Sequence, residues 1–146
     1  MTPFDDMISG LESFLSDTDA ILISLVVKEE NLVLDLNRLL QLYATGENDQ
    51  KQPITPLYTP YTITIKRQKG QPTDRVTLKD TGAFYNSFDI KYSANEFTIF
   101  ATDPKTRRLV AKYGASIFGL NDYSLQVLID TIKPKLVEEL NKRLLA

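Results

Sequence analysis

The stretch "LKDTGAFYNSF", residues 78–88, decides how the middle of the chain folds. Phe84 and Phe88 lie four residues apart, which places both rings on one face of a helical turn. Asp80 and Thr81 precede this turn, and both are residue types that accept hydrogen bonds from the first N–H groups of a helix. We therefore expect a short helix that is capped by Asp80 or Thr81 and that directs its aromatic face into the core.

Gly82 stands between an extended segment and this helical turn. A glycine at such a step indicates either a positive φ or close packing against a neighbouring element. We expect that backbone geometry, and no chemical role, requires a glycine here.

The same stretch contains Asp80-Thr81-Gly82, the triplet on which aspartic proteases carry a catalytic carboxylate. A retroviral-type subunit supplies one such aspartate and gains the second by dimerising, so that the pair shares a proton. The later "SIFGLND" (116–122) is similar to the apolar-apolar-glycine turn of such subunits. Against this reading, Lys79 stands where a buried apolar strand is needed, and Asp80 and Gly119 are only 39 positions apart. A retroviral-type aspartic protease subunit is thus the alternative function, and a structural turn is favoured.

Two β-rich runs follow the turn, "FDIKYSA" (88–94) and "EFTIFAT" (96–102). Both are rich in aromatic and β-branched residues, which are enriched in strands. Ala94-Asn95 joins them, so the pair predicts an antiparallel β-hairpin.

Two further helices are predicted downstream. "TDPKTRRLVAKYG" (102–114) offers Asp103 as a cap, Pro104 at the first helical position and a glycine to end the helix. Residues 121–146 carry an apolar stripe at helical spacing. Its members are Leu125, Leu128, Ile129, Ile132, Leu136, Leu140 and Leu144. We expect Pro134 to kink or split this last helix, because it removes a hydrogen bond and clashes with the preceding turn.

The N-terminal third is predicted to be helical. Residues 4–15 place apolar side chains at helical spacing, and a second helix extends over 20–45. Residues 16–19 are cap candidates for the second helix, and Gly46 stands where a glycine would end it. This helix would be roughly 39 Å long, and its one polar run, "KEEN" (28–31), could divide it in two.

The segment 45–75 is rich in glycine, proline and polar residues, which predicts a partly irregular loop region. Within it, "YTITIKR" (61–67) alternates like a strand, whereas Thr59 followed by Pro60 is also a helix start. Both readings stay open at this point. The chain as a whole predicts one α+β domain over 1–146, with a long N-terminal helix and a C-terminal helix packed on a small antiparallel β-sheet.

The composition removes several kinds of catalytic and metal chemistry. The chain contains no cysteine and no histidine, so thiol nucleophiles, imidazole bases and zinc sites built from these ligands are excluded. The sequence has no glycine-rich phosphate motif and no calcium-binding loop, and its adjacent acidic pairs would diverge on helices. We expect no enzyme, no catalytic residue, no cofactor and no metal site.

The charges are unevenly distributed along the chain. Residues 1–50 hold 10 acidic and 2 basic side chains, a net charge of −8, whereas residues 51–146 hold 9 and 15, a net charge of +6. Opposite potentials of this kind can dock copies or partners, and differently solvated faces would produce the same pattern. "KRQKG" (66–70) with Tyr58 and Tyr61 is an alternative nucleic-acid patch, although a few cations in a loop are commonly plain surface.

We expect a soluble protein that makes no membrane contact. The longest apolar run, "ILISLVV" (21–27), is far below the roughly 18 residues that a membrane span requires. The start of the chain carries acidic residues where a secretion signal needs basic ones.

Over roughly residues 32–146, a set of short motifs occurs in a defined order. The leucine, Thr-Gly and Ser-Phe of 78–88 precede the hairpin, an aromatic-glycine step follows at 113–114, and a Phe-Gly-Leu-Asn cap at 118–121 precedes the last helix. In this order the chain resembles the head–tail joining and tail-completion proteins of tailed bacteriophages, including the virion-morphogenesis proteins of Mu-like phages. The residues expected to form this structural motif are Leu78, Asp80, Thr81, Gly82, Phe84, Ser87, Phe88, Tyr113, Gly114, Phe118, Gly119 and Leu120.

The resemblance implies a structural protein of the virion and no enzymatic activity. It implies a homo-oligomeric ring or collar at the neck, in contact with a portal-proximal neck protein and with tail-tube proteins. DNA would pass through the channel of this ring only as cargo. The protein would assemble in the cytoplasm of the bacterial host and end in the virion.

Overall fold

The computed structural model describes residues 2–145, and its N-terminal third is a run of helical segments. These segments are α1 (Pro3–Ser16), α2 (Thr18–Lys28), α3 (Glu30–Asp35) and a π-helix (Leu36–Thr45). The predicted helical character of this third is confirmed, although the long helix is divided more often than the sequence indicates.

Local hydrogen bonds explain where the first segments begin. The Thr2 hydroxyl accepts from the Asp5 N–H, and the Asp5 carboxylate accepts in return from the Thr2 N–H, which caps α1. The N-cap of α2 is Asp17, which lies within the predicted residues 16–19, but its side chain makes no capping hydrogen bond. The Thr18 hydroxyl donates to the carbonyl oxygens of Phe14 and Leu15. It therefore binds the end of α1 and does not cap α2.

Two other predicted boundaries are confirmed. The break within residues 28–31 falls at Glu29, whose φ of −104° and ψ of 24° depart from helical geometry. Gly46 ends the π-helix with a φ of +64°. Both boundaries follow from residues within one turn of the break, which explains why the sequence indicates them.

The segment 45–75 is irregular around one helix. α4 (Pro60–Gln68) occupies the stretch that alternates like a strand, and the Thr59 hydroxyl caps it by accepting from the Thr62 N–H. The helical reading is therefore confirmed and the strand reading is wrong, because the cap and the proline favour a helix more strongly than the alternation favours a strand. Ile54 is buried and holds the preceding loop on the core.

The predicted hairpin is confirmed. β1 (Phe88–Tyr92) and β2 (Phe97–Ala101) pair antiparallel, and they form the one sheet within residues 2–145. Ile90 lies opposite Ile99 in this pairing, and both side chains are buried. The sheet thus has a core face, which packs against α3.

Short helices precede and follow the hairpin. α5 (Ala83–Asn86) is the predicted helical turn, and α6 (Thr106–Tyr113) and a 3-10 turn (Ala115–Ile117) follow β2. The predicted start of α6 is wrong. The Asp103 carboxylate accepts from the backbone N–H two residues later, so Pro104 lies in a turn before the helix and not at its first position.

The chain ends in α7 (Asp122–Leu145), which continues through Pro134. The predicted splitting of this helix is wrong. Pro134 removes one hydrogen bond of a helix that has 24 residues, and α7 packs along both α1 and α2. This packing stabilises the helix on either side of the proline.

α1 lies very close to the end of α7. A Cβ atom at Gly10 would lie 2.2 Å from the carbonyl oxygen of Arg143, so only glycine fits at this crossing. The Arg143 guanidinium also donates to the Ser13 hydroxyl at 2.8 Å and to the Asp17 carboxylate at 2.9 Å. One face of α1 is therefore held on α7.

The predicted α+β class, with N- and C-terminal helices packed on a small antiparallel sheet, is confirmed. One apolar core joins the helices and the hairpin. Its most deeply buried apolar members are Val33, Leu42, Ile54, Val76, Phe84 and Ile117. No helix within residues 2–145 has the length and apolar character needed to cross a membrane.

Candidate functional site

Three aromatic residues of the predicted motif meet in one cluster. The ring centroids of Phe84 and Phe88 are 5.0 Å apart in an edge-on arrangement, and Phe118 lies 6.0 Å and 5.2 Å from these two. Edge-on and tilted pairs at such distances are favourable beyond the area that they bury. We call Phe84, Phe88 and Phe118 the aromatic node. It joins α5, β1 and the segment before α7.

The segment before the node is fixed by two tyrosine hydroxyls. The Tyr58 hydroxyl accepts from the Thr77 N–H at 2.9 Å, and the Tyr85 hydroxyl donates to the Thr77 carbonyl oxygen. Burial raises the pKa of the Tyr85 hydroxyl above its ordinary value, so it keeps the proton that it donates. Leu78 follows with a φ of +60° and a buried side chain. A leucine in this region is strained, and the surrounding packing maintains it.

Gly82 has the backbone geometry predicted for it. Its φ is +93°, and a Cβ atom there would find its nearest neighbour 4.0 Å away, at Asn86 Nδ2. The glycine is therefore required by the left-handed backbone and not by crowding. Gly82 is itself the N-cap of α5, while the Thr81 hydroxyl accepts from the Ala83 N–H at 3.3 Å. At the other end of α5, the Ser87 hydroxyl donates to a carbonyl of the helix.

Asp80 does not cap α5, so that part of the prediction is wrong. Its carboxylate accepts from Lys69 Nζ at 2.9 Å and from Gln71 Nε2 at 3.1 Å. The hydrogen bond from Lys69 lowers the pKa of Asp80, and the one from Gln71 lowers it further. Asp80 thus ties the motif to the end of α4.

Two buried amides hold the segment that carries Phe118. Asn37 donates to the Ile117 carbonyl oxygen at 3.0 Å and accepts from the Gly119 N–H at 2.9 Å. Gln41, one turn further along the π-helix, donates to the Gly119 carbonyl oxygen and accepts from the Asn121 N–H, both at 2.9 Å. We call Asn37 and Gln41 the amide clamp. It pairs four backbone groups between the end of the 3-10 turn and the start of α7.

Gly119 lies at the centre of the clamped segment. Its φ is +115°, and a Cβ atom there would lie 3.3 Å from the Cβ atom of Asp49. Asp49 reaches this position because its N–H donates to the Ser116 carbonyl at 2.9 Å, and burial raises the pKa of its carboxyl. The predicted cap of the last helix is confirmed at its final residue, because the Asn121 side chain accepts from the Ser124 N–H at 3.0 Å.

The remaining motif residues lie outside the aromatic node. Gly114 ends α6 as predicted, with a φ of +91°, and its N–H donates to the Val110 carbonyl. Leu120 is half-buried beside the clamped segment. Tyr113 lines a basic cleft of about 210 Å³ together with Leu78 and Asp80 of the motif. The motif therefore forms two groups, one around the aromatic node and one that lines this cleft.

Of the three cations that suggested a nucleic-acid patch, only Lys66 lines the basic cleft. Its lining includes Tyr58, Lys66, Lys79 and Arg108 besides the tyrosine of α6. Lys66 Nζ donates to the Lys79 carbonyl oxygen at 3.0 Å and lies 4.8 Å from the centroid of the Tyr58 ring. Tyr61 is exposed and does not line the cleft. Lys66, and Lys69 through its bond to Asp80, therefore stabilise this part of the fold.

Two apolar surfaces of the protein face solvent. The first is on α1, and we call it the α1 stripe; it consists of Phe4, Met7, Ile8, Leu11 and Leu15. The second is an apolar groove of about 320 Å³ between α2 and α7, closed at one end by the hairpin. We call it the α7 groove, and its apolar lining is Leu22, Ile23, Val26, Phe97, Leu125, Leu128, Ile129, Ile132 and Leu136.

Sequence reasoning missed the amide clamp, the two tyrosine hydroxyls and the α7 groove. The one signal for the clamp is a pair of amides four residues apart on an otherwise apolar helical face.

Within residues 2–145, no group of three or more acidic side chains lies together as metal ligands would. The chain matches no protein-family model, no curated protein sequence and no solved structure.

Proposed function

We propose that this protein is a structural component of a tailed-bacteriophage virion that acts at the head–tail neck as a joining or tail-completion protein. The observation that carries the proposal is the position of the motif. Most of the residues by which the chain resembles such proteins form the aromatic node or the backbone turns that support it, and Tyr113 lines the basic cleft with Leu78 and Asp80. A motif that builds a scaffold in this way suits an assembly protein better than an enzyme.

The surface of the subunit supports an oligomeric role. Its accessible area is 9119 Å², whereas a compact monomer of 16.6 kDa exposes about 7600 Å². Part of the difference is apolar, since Phe4 and Leu15 of α1 are 63% and 64% exposed. Exposed apolar faces of this size favour contact with another protein surface.

The charge distribution supports contact between copies. α1 and the start of α2 carry acidic side chains and no lysine or arginine. The basic cleft is built from α4, α6 and residues 78–80. Opposite charges on different parts of one subunit pair most readily between neighbours, and such heterologous contacts close into rings when the rotation permits.

In this proposal the ring contacts a portal-proximal neck protein on one side and tail-tube proteins on the other. DNA passes through it as cargo, and the acidic surface of α1 would repel the phosphate backbone. The protein assembles in the host cytoplasm, makes no membrane contact and is retained in the virion.

The proposal is tested by locating the protein in assembled particles. Purified virions of the phage or induced prophage that encodes the chain should contain it in fixed stoichiometry, and imaging should place it between capsid and tail. Particles made without it should accumulate as filled heads and separate tails. Its absence from purified virions, or normal joining of heads and tails without it, would overturn the proposal.

A further inference from the structure

The α1 stripe is free to contact another protein because the opposite face of α1 packs on α7. Gly10 and Ser13 lie against the end of α7, where Arg143 holds them. The main positions of the stripe, residues 4, 8, 11 and 15, follow the spacing i, i+4, i+7, i+11 on the free side. This is the spacing by which a helix presents a seam to a partner helix.

The α7 groove has the same spacing on its α7 wall. Leu125, Ile129, Ile132 and Leu136 also follow i, i+4, i+7, i+11. Ile132 is buried at the floor, whereas Leu125 and Ile129 are exposed. The groove is therefore an apolar channel with regularly placed knobs, open to a helix that lies along α7.

The stripe and the groove also agree in length. Each covers eleven residue steps, which corresponds to about 16 Å along a helix axis. Two helices with matched seams pack by inserting the knobs of one into the holes of the other. We propose that α1 of one copy of this protein lies in the α7 groove of a second copy, an inference that rests on the proposed homo-oligomeric function.

The charges beside the two seams favour a second copy as the occupant. Asp5 and Glu12 lie on one flank of the α1 stripe, and α1 contains no basic residue. Lys133 lies on the corresponding flank of the α7 groove and forms no ion pair within residues 2–145. Asp19 lies at another edge of the groove, so only the orientation that brings the acids to Lys133 is favourable.

The exposed area of the subunit agrees with two such contacts. A ring subunit uses its stripe on one neighbour and its groove on the other. Two standard interfaces remove about 1600 Å² from one subunit. The accessible area of 9119 Å² exceeds that of a compact monomer by about 1500 Å², close to this amount.

Disulfide trapping tests the contact, and the absence of cysteine in the chain makes the readout clean. Leu11→Cys and Ile129→Cys proteins are prepared separately, mixed over a range of concentrations up to the solubility limit, and oxidised. We expect a mixed disulfide between the two variants that exceeds the product of a control pair, Leu57→Cys with Ile129→Cys, because Leu57 is even more exposed than Leu11 but lies outside the stripe. A yield no higher than that of the control pair at every concentration would overturn the proposal.

A charge exchange provides the second measurement. Glu12→Lys should weaken self-association about two- to fivefold, as loss of one exposed ion pair does, and Lys133→Glu added to it should restore the affinity. Unaffected association in Glu12→Lys, or no recovery in the double variant, would exclude the proposed orientation.

The outcomes separate this inference from the proposed function. A missing disulfide in a protein that is present at the virion neck refutes the α1 contact alone. A strong disulfide in a protein that is absent from virions refutes the neck function alone. A closed dimer by native mass, with α1 exchanged reciprocally, retains the contact and refutes the ring.

Discussion

Removal of one amide of the clamp should destabilise the whole fold. Asn37→Ala leaves two backbone groups unpaired, the Ile117 carbonyl oxygen and the Gly119 N–H, which Asn37 binds at 3.0 Å and 2.9 Å. Asn37 has no exposed surface, so water does not replace these bonds without entering the core. Each of the two unpaired buried groups costs about 1–3 kcal/mol, so we expect a total loss of about 2–6 kcal/mol.

Urea unfolding followed by circular dichroism measures this loss. The midpoint should fall while the dependence of the unfolding free energy on urea stays unchanged, since the folded state keeps its compactness. Asn141→Ala is the matched control, because it makes the same substitution at an exposed helical position. This control should change stability by less than about 0.5 kcal/mol.

Asn37→Leu separates hydrogen bonding from packing. Leucine has the same number of side-chain heavy atoms and the same branch point as asparagine, with larger methyl groups, so it fills the space but leaves both backbone groups unpaired. We expect it to be about as destabilising as alanine, because the loss comes from the unpaired groups. If Asn37→Leu is as stable as the parent, or if Asn37→Ala behaves like Asn141→Ala, then the amide clamp does not hold the segment as argued.

Three further predictions concern the motif and its surroundings. Gly82→Val should lower the unfolding free energy by more than about 1 kcal/mol, because valine is strained at a φ of +93°; a thermal melt equal to that of the parent would contradict this. Asp80→Asn should cost at most about 1 kcal/mol at neutral pH, since it removes a half-exposed ion pair with Lys69. The pKa of Asp80 is lowered in the folded state, so this contribution is present above the ordinary aspartate pKa and should disappear as the pH falls through the folded-state pKa. A pepstatin-sensitive peptidase activity that Asp80→Asn abolishes would instead establish the protease alternative. In hydrogen exchange, residues 45–75 should be weakly protected in the isolated subunit, apart from α4 and the anchor at Ile54, and should gain protection on assembly; equally strong protection in both states would exclude this.

The sequence by itself determined those elements whose causes lie within a few residues. The hairpin follows from two β-rich runs and a short polar connection, and the start of α4 follows from Thr59 and Pro60. Gly82 also belongs to this group, since an abrupt step from extended to helical backbone needs a left-handed residue. These features depend on backbone sterics and local hydrogen bonds, which act in the same way whatever the rest of the chain does.

The tertiary structure decided which partners the polar motif residues have. Asp80 is a suitable cap by its local sequence, yet Lys69 and Gln71 bind its carboxylate after α4 is brought alongside. The clamp residues Asn37 and Gln41 bind backbone groups about 80 residues away. A local pattern shows that a polar side chain needs a hydrogen-bond partner. Which group becomes that partner depends on which distant segments the fold brings next to it.

The position of α1 shows the same limit for apolar residues. The spacing of Phe4, Ile8, Leu11 and Leu15 indicates an apolar helical face, which would ordinarily point into the core. In the folded protein, Gly10 of α1 lies against the end of α7 and Phe14 is buried, whereas the apolar face stays exposed to solvent. Periodicity establishes that a face must be covered, because burial of apolar area is favourable wherever it occurs. Which surface covers it depends on the close approach that Gly10 permits to the end of α7, and this is a property of the assembled fold.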